Sequence, residues 1–152
     1  MFTKDEAIEQ ILSDKIVSLE FADFFLGEML GYGCSRRVFE NPFDKTTVIK
    51  IDVSNWNANV MEHQVWTRVS EVKSINKWFA PVTLMSKCGR ILLMKKCKPL
   101  IYPYPAKLPE FLTDIKYDNF GMYNGHVVCY DYAGNLLMEK GMSLKMRKVK
   151  WR

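Results

Sequence analysis

The stretch KPLIYPYPAKLPE, residues 98–110, holds four prolines in thirteen positions. Proline lacks an amide hydrogen and fixes its own φ. A run this dense can neither continue a long helix nor sit in the middle of a sheet. It reads as a linker or an irregular connection. Regular elements are legible before it, and a polar loop with a small hairpin follows it. At 152 residues the whole chain, 1–152, reads as one domain large enough to bury a real core.

Before the prolines the apolar spacing changes twice. KDEAIEQIL (residues 4–12) has good helix formers, with Ala7, Ile8, Ile11 and Leu12 at helical spacing, and predicts a short N-terminal helix. VSLEF and FFLGEMLGYG are apolar and β-compatible, and SRRVFEN and TTVIKIDV read as two strands joined by the turn chemistry of NPFDK. From Val60 through Met61, Val65, Val69 and Val72 the period becomes helical, which predicts a helix over 58–72 with Asn57 or Asn59 as cap. APVTLMSKCGRILLMKKC then reads as two strands around a tight turn at Lys87–Arg90. The expected class is α+β, a five-stranded antiparallel sheet with one helix packed against it.

Composition narrows the function classes. A hydrophobic fraction of 48% and a charged fraction of 26% are ordinary globular values. The longest apolar runs are short and interrupted by Asp23 and Glu28, so a membrane partner is not expected. The charged start MFTKDEAIEQ lacks an apolar signal core, so the expected compartment is the cytoplasm. Cys34, Cys88, Cys97 and Cys129 form no C-x-x-C pair, which argues against zinc and for reduced thiols. Much of the net charge of +5 lies in KGMSLKMRKVKWR, residues 140–152, with six Lys or Arg and no acid. Such a tail can attract an acidic partner, but the simpler reading, a solvated end, is slightly favoured. No nucleic-acid motif accompanies it, so nucleic acid is not the expected partner.

The residues with chemical potential come in a definite order. GYGCSR places Gly31 and Gly33 between two predicted strands, where glycine lets backbone N–H groups approach phosphate. Arg36 stands where a third glycine of G-x-G-x-x-G would be. Lys50 lies mid-strand in VIKI, and Glu62 on the predicted helix is positioned to pair with it. Asp114 to Asn119 reads D-x-K-x-x-N, and twelve residues later Asp131 follows the apolar VVCY. An Asp can orient a hydroxyl proton, a Lys can neutralise a moving phosphoryl group, and Asn and Asp oxygens suit Mg²⁺. Taken singly, each of these residues has an ordinary explanation: a turn, a solvated helix face, strand alternation. The ordered set is what carries weight.

In that order the chain resembles the protein-kinase-like superfamily over roughly Phe25 to Gly134. Gly31 and Gly33 match the glycine-rich loop, VIK with Lys50 matches V-A-I-K, and Glu62 matches the helix glutamate. DIKYDN matches D-L-K-x-x-N, and DYA stands where D-F-G is expected. The resemblance implies ATP and Mg²⁺ as cofactors, with Gly31, Gly33, Ser35 and Lys50 on the nucleotide. Asn119 and Asp131 would hold metal, Asp114 would orient the acceptor, Lys116 would neutralise charge, and Glu62 would brace Lys50. It divides the chain into an N-lobe (about 17–97), a hinge connection near Lys96–Pro99 with the catalytic and metal loop (98–134), and the basic tail (135–152). Leu112 and Thr113 replace His-Arg before Asp114, Ala133 replaces the D-F-G glycine, and no A-P-E follows within the twenty-one residues after Asp131. The expectation is therefore a strongly reduced C-terminal lobe, in the style of compact kinase-like proteins of bacteriophages.

Two functions follow. One is a minimal Ser/Thr protein kinase that phosphorylates itself or, for a viral product, a host protein in the host cytoplasm. The other is an inactive kinase-like module that docks a partner, with Trp151 and the basic tail as contact residues. A homodimer would be one way to replace what the reduced lobe lacks.

Overall fold

The computed structural model of the chain describes residues 3–6, 15–135 and 137–152. It is a mixed α+β fold around a five-stranded antiparallel sheet. In chain order, helix α1 (Lys15–Phe25) precedes strands β1 (Met29–Tyr32), β2 (Arg36–Glu40) and β3 (Thr47–Asp52). Helix α2 (Ala58–Val69) and the single turn α3 (Lys73–Asn76) come next, followed by β4 (Val82–Met85) and β5 (Ile91–Lys95). The sheet order is β1-β2-β3-β5-β4, so β3 is central and carries Lys50 opposite Val38 of β2 and Leu92 of β5. The face bearing Lys50, Leu92 and Met94 meets Val65 and Val69 of α2, which supplies the layer such a sheet requires.

Two parts of this half differ from the sequence expectation. Residues 15–25 are helical, although VSLEF and the start of FFLGEML read as β-compatible. No glycine or proline interrupts the run before Gly27, and Phe21 stacks on Phe25 four residues on at 5.7 Å, an i, i+4 contact that only helical spacing provides. Helix α2 ends at Val69 rather than at residue 72, and α3 follows as a separate turn. Neither asparagine caps it as expected. Asn57 is left-handed at φ 55° and makes no side-chain cap bond, while the Asp52 carboxylate accepts the Asn59 N–H at 3.4 Å. Asn59 instead donates from its amide to the Lys50 and Arg90 carbonyls, which ties the helix start to β3 and the end of the β4–β5 turn. Of the predicted N-terminal helix, residues 4–6 are helical and the rest lies outside the described residues.

The proline-rich connection is irregular except for two short strands. β6 (Lys98–Pro99) pairs with β8 (Phe120–Tyr123), which forms a hairpin with β9 (His126–Cys129). The hairpin turns at Asn124 and Gly125, both at positive φ, the conformation that an Asn-Gly turn favours. A short 3₁₀ turn (Tyr117–Asn119) leads into β8, and a single helical turn, α4 (Leu137–Lys140), follows the hairpin. Cys97 and Lys98 close tightly on β8. A Cβ on Gly121 would lie 2.6 Å from the Lys98 carbonyl oxygen and 2.9 Å from the Cys97 Cβ, so only glycine fits there.

The basic tail is not a free solvated end. Its strand β10 (Met146–Lys148) pairs antiparallel with β7 (Lys107–Pro109). One apolar core runs from Val65 and Val69 through Phe79, Leu92 and Met94 to Leu108, Phe111, Leu112, Phe120 and Tyr132, so both halves share a single interior. Among the described residues no helix is long and apolar enough to cross a membrane.

Candidate functional site

Among the described residues Glu62 and Asn59 are the most buried polar ones, each 0% exposed. Glu62 projects from α2 toward β3 because it lies on the same helix face as Val65 and Val69, which pack on the sheet. Lys50 Nζ donates to both its oxygens, at 2.9 and 3.2 Å. The Tyr132 backbone N–H donates to Oε1 at 2.8 Å. A third partner, Arg36 at the start of β2, places Nη1 2.6 Å from Oε2. One carboxylate thus joins two strands and the residue that follows Asp131.

Burial alone would raise the Glu62 pKa, but the Lys50 and Arg36 charges overcome it and hold the carboxyl below the usual carboxylate range. Burial pulls the Lys50 ammonium down, with Glu62 acting against that pull and the nearby Arg36 charge adding to it. Lys50 also donates to the Tyr130 carbonyl. Tyr132 is fully buried, edge-on to Phe79 at 4.9 Å, and its hydroxyl donates to the Ala80 carbonyl at 2.9 Å. The chain on both sides of Asp131 is therefore pinned, while the Asp131 side chain itself is 47% exposed and pairs with Arg36.

The second cluster is the loop 113–119. Asp114 sits at φ 48°, a left-handed backbone that is uncommon for a non-glycine residue. Asn119 Nδ2 donates to both the Asp114 carbonyl and its Oδ2, each at 2.9 Å. Lys116 Nζ donates to the same Oδ2 at 2.9 Å. The Asn119 carbonyl accepts the Tyr130 N–H at 2.9 Å, which links this loop to the residue before Asp131. The Lys116 hydrogen bond, with Asn119 and the Lys116 and Arg152 charges, holds the Asp114 carboxyl below the ordinary aspartate value, against burial, which would raise it. A carboxylate of that kind is able to accept a hydrogen bond from a hydroxyl.

The tail reaches this loop. The Arg152 guanidinium lies 3.1 Å from Asp114 Oδ1. The Tyr117 N–H donates to the Arg152 carbonyl, and the Arg152 N–H to the Ile115 carbonyl. Trp151 stacks on Tyr117 at 5.7 Å, meets Phe120 edge-on at 5.1 Å and donates from Nε1 to the Pro105 carbonyl at 2.9 Å. Trp151, expected as a partner contact, is used inside the chain.

The glycine turn is brought near the first cluster by the β1–β2 hairpin, since Arg36 begins β2. A Cβ on Gly31 or Gly33 would meet nothing within 4 Å, so open space lies over both. The Gly33 N–H is engaged in the turn, donating to the Arg36 carbonyl at 2.9 Å. Ser35 is held through its carbonyl, which accepts the Val53 N–H at 2.9 Å. A cleft of about 560 Å³ is lined by Lys45, Thr46, Lys95, Lys96, Cys97, Lys98, Pro99 and Tyr123. It touches none of Lys50, Glu62, Asp114 and Asp131.

The structure thus pairs Lys50 with Glu62, and Asp114 with Lys116 and Asn119. It links Asn119 to the residue before Asp131 through one backbone bond. Arg36 is the residue that sequence reasoning missed. It carried only the signal of an arginine in a glycine's place, and in the sequence that looks like a loss of motif. Among the described residues no three His, Cys, Asp or Glu side chains gather as metal ligands. What the site offers a metal is the half-exposed Asp131 carboxylate and the Asn119 amide, whose nitrogen is engaged with Asp114 and whose oxygen is thereby left for another partner. One or two oxygen ligands are what a phosphate-borne Mg²⁺ asks of a protein. The sequence matches no protein-family model and no curated protein.

Proposed function

We propose that the protein is an ATP- and Mg²⁺-dependent phosphotransferase on a kinase-like scaffold, with the five-stranded sheet and α2 as its N-lobe and a protein Ser/Thr hydroxyl as acceptor. The observation that carries this reading is the buried Lys50–Glu62 pair, with the same Glu62 holding the backbone beside Asp131. Few structural needs explain a fully buried carboxylate that joins a strand lysine to that distant position. Lys50 would meet the nucleotide phosphates, Gly31, Gly33 and Ser35 would border them, and Asp131 and Asn119 would hold Mg²⁺, which supplies charge neutralisation on the phosphates. Asp114 would orient the acceptor hydroxyl, and Lys116 would face the transferred group. Such catalysis is positioning plus electrostatics, so the survival of every charged part supports it.

The test is incubation with labelled ATP and Mg²⁺, alone and with cell lysate, beside Asp131→Ala. Label on the protein or on a lysate protein is expected from the wild type and not from the variant. Transfer that persists in Asp131→Ala refutes the site.

A second reading, an inactive docking module, is favoured by one feature. Phe24, Phe25 and Phe43 form an exposed aromatic cluster with ring centroids 5.1 to 5.9 Å apart, and exposed apolar patches mark interaction surfaces. That reading expects no labelling, and retained biological effect in Lys50→Ala.

A further inference from the structure

Four charged side chains form one chain of pairs: Lys50 and Arg36 on Glu62, and Asp131 on Arg36. Lys50 and Arg36 carry two positive charges, and Glu62 and Asp131 two negative ones, so the cluster is neutral as it stands. Its members differ in access. Lys50, Arg36 and Glu62 are sealed, whereas Asp131 opens to solvent. A divalent cation arriving from solution can reach Asp131 but not Glu62. One of the two Asp131 oxygens, Oδ1, already faces the Arg36 guanidinium.

Arg36 is also incompletely satisfied. Its Nη1 is buried and close to Glu62, yet it makes no well-directed hydrogen bond. Released from Asp131, the guanidinium keeps Glu62, and Asp52 is near enough to favour its charge, so its charge does not become stranded. A buried arginine between one sealed and one solvent-exposed carboxylate has two charge partners.

We infer that Arg36 is a resident counter-cation of Asp131 that competes with a divalent metal for that carboxylate. This rests on the phosphotransferase reading for the role of Asp131, and deepens it. When metal takes over the Asp131 charge, Lys50 keeps Glu62, and Arg36 keeps Glu62 with Asp52 nearby. The arginine at the third glycine position then competes with the metal instead of marking a decayed motif.

The test uses Mn²⁺ as the probe, read by its electron paramagnetic resonance on the full-length protein without nucleotide. Wild type, Arg36→Gln and Asp131→Asn are compared. Removing the competing cation is expected to tighten Mn²⁺ binding by at least about tenfold in Arg36→Gln, a modest share of a close-range charge repulsion. Asp131→Asn should abolish that binding. Unchanged or weaker binding in Arg36→Gln overturns the inference, and so does binding that Asp131→Asn leaves intact. Because Arg36→Gln could disturb folding, the wild type is also titrated with Mg²⁺ while the Arg36 guanidinium signal is followed by NMR. A signal that moves toward its position in Asp131→Asn supports displacement, and one that stays fixed at saturating Mg²⁺ overturns it. None of these measurements involves ATP. A protein whose Arg36 competes with metal yet which transfers no label therefore refutes the phosphotransferase while leaving the competition standing.

Discussion

The two charged clusters are built from the same chemistry and behave as opposites. Around Glu62, cations and carboxylates are sealed between sheet and helix. Around Asp114, the same pairing of carboxylate with Lys and Arg lies at the surface, where Asp114 is 48% exposed. Water screens the second set and not the first. An exposed ion pair contributes little to stability, whereas a buried charge left without its partner is strongly destabilising. The Glu62 cluster should hence hold the fold together, and the Asp114 cluster should be dispensable to folding while governing chemistry.

The largest effect should come from breaking the sealed cluster. Glu62→Ala leaves Lys50 and Arg36 buried around a missing carboxylate and frees the Tyr132 N–H, at an expected cost of about 3–5 kcal/mol. A urea denaturation curve checks it, and a loss under about 1 kcal/mol would mean that water reaches the site.

A middle effect belongs to the tail. Trp151→Ala removes a half-buried indole from Tyr117 and Phe120, and should cost about 2 kcal/mol, below the range for fully buried Trp. Hydrogen exchange should show the Tyr117 amide, which donates to the Arg152 carbonyl, losing protection more than any amide of β3.

The smallest stability effect should come from Asp114→Asn, within about 1 kcal/mol. Asn tolerates the left-handed backbone at that position. Its labelling activity should nonetheless fall by about a hundredfold or more, if orientation of the acceptor hydroxyl is lost. Equal losses of stability and activity would erase the contrast between the clusters.

Acid sharpens the same contrast. Both Glu62 and Asp114 have folded-state pKa values lowered from their ordinary ones. The stability they add is present above their unfolded values, near about 4, and is lost as pH falls through the folded values. Melting temperatures taken downward from neutral pH should thus fall in the acid range. Asp114→Asn should leave most of that decline in place, because the buried carboxylate drives it.

The sheet and the β4–β5 turn were legible because each rests on local spacing, strand alternation and a glycine turn, whereas the Lys50–Glu62 pairing was expected only from the order of the motifs. Helix α1 was not, since aromatic and β-branched residues serve either element and the i, i+4 stack of Phe21 on Phe25 decided it. Arg36 was not, because its partners lie twenty-six and ninety-five residues away, as read from its pairs with Glu62 and Asp131. The tail was misread for a related reason. Its charge argued for water, while its docking depends on backbone bonds to β7 and Ile115 and on one tryptophan, none of which a charge count registers.

That docking bears on how the protein is made. Every side chain proposed to act on phosphate or acceptor has been synthesised once Asp131 is added, yet the backbone bonds that flank Asp114 come from Arg152. A nascent chain that has emerged only to Asp131 can form the Glu62 cluster before it can complete the Asp114 loop. The order of synthesis would keep the loop unfinished until the last residues of this sequence have left the ribosome.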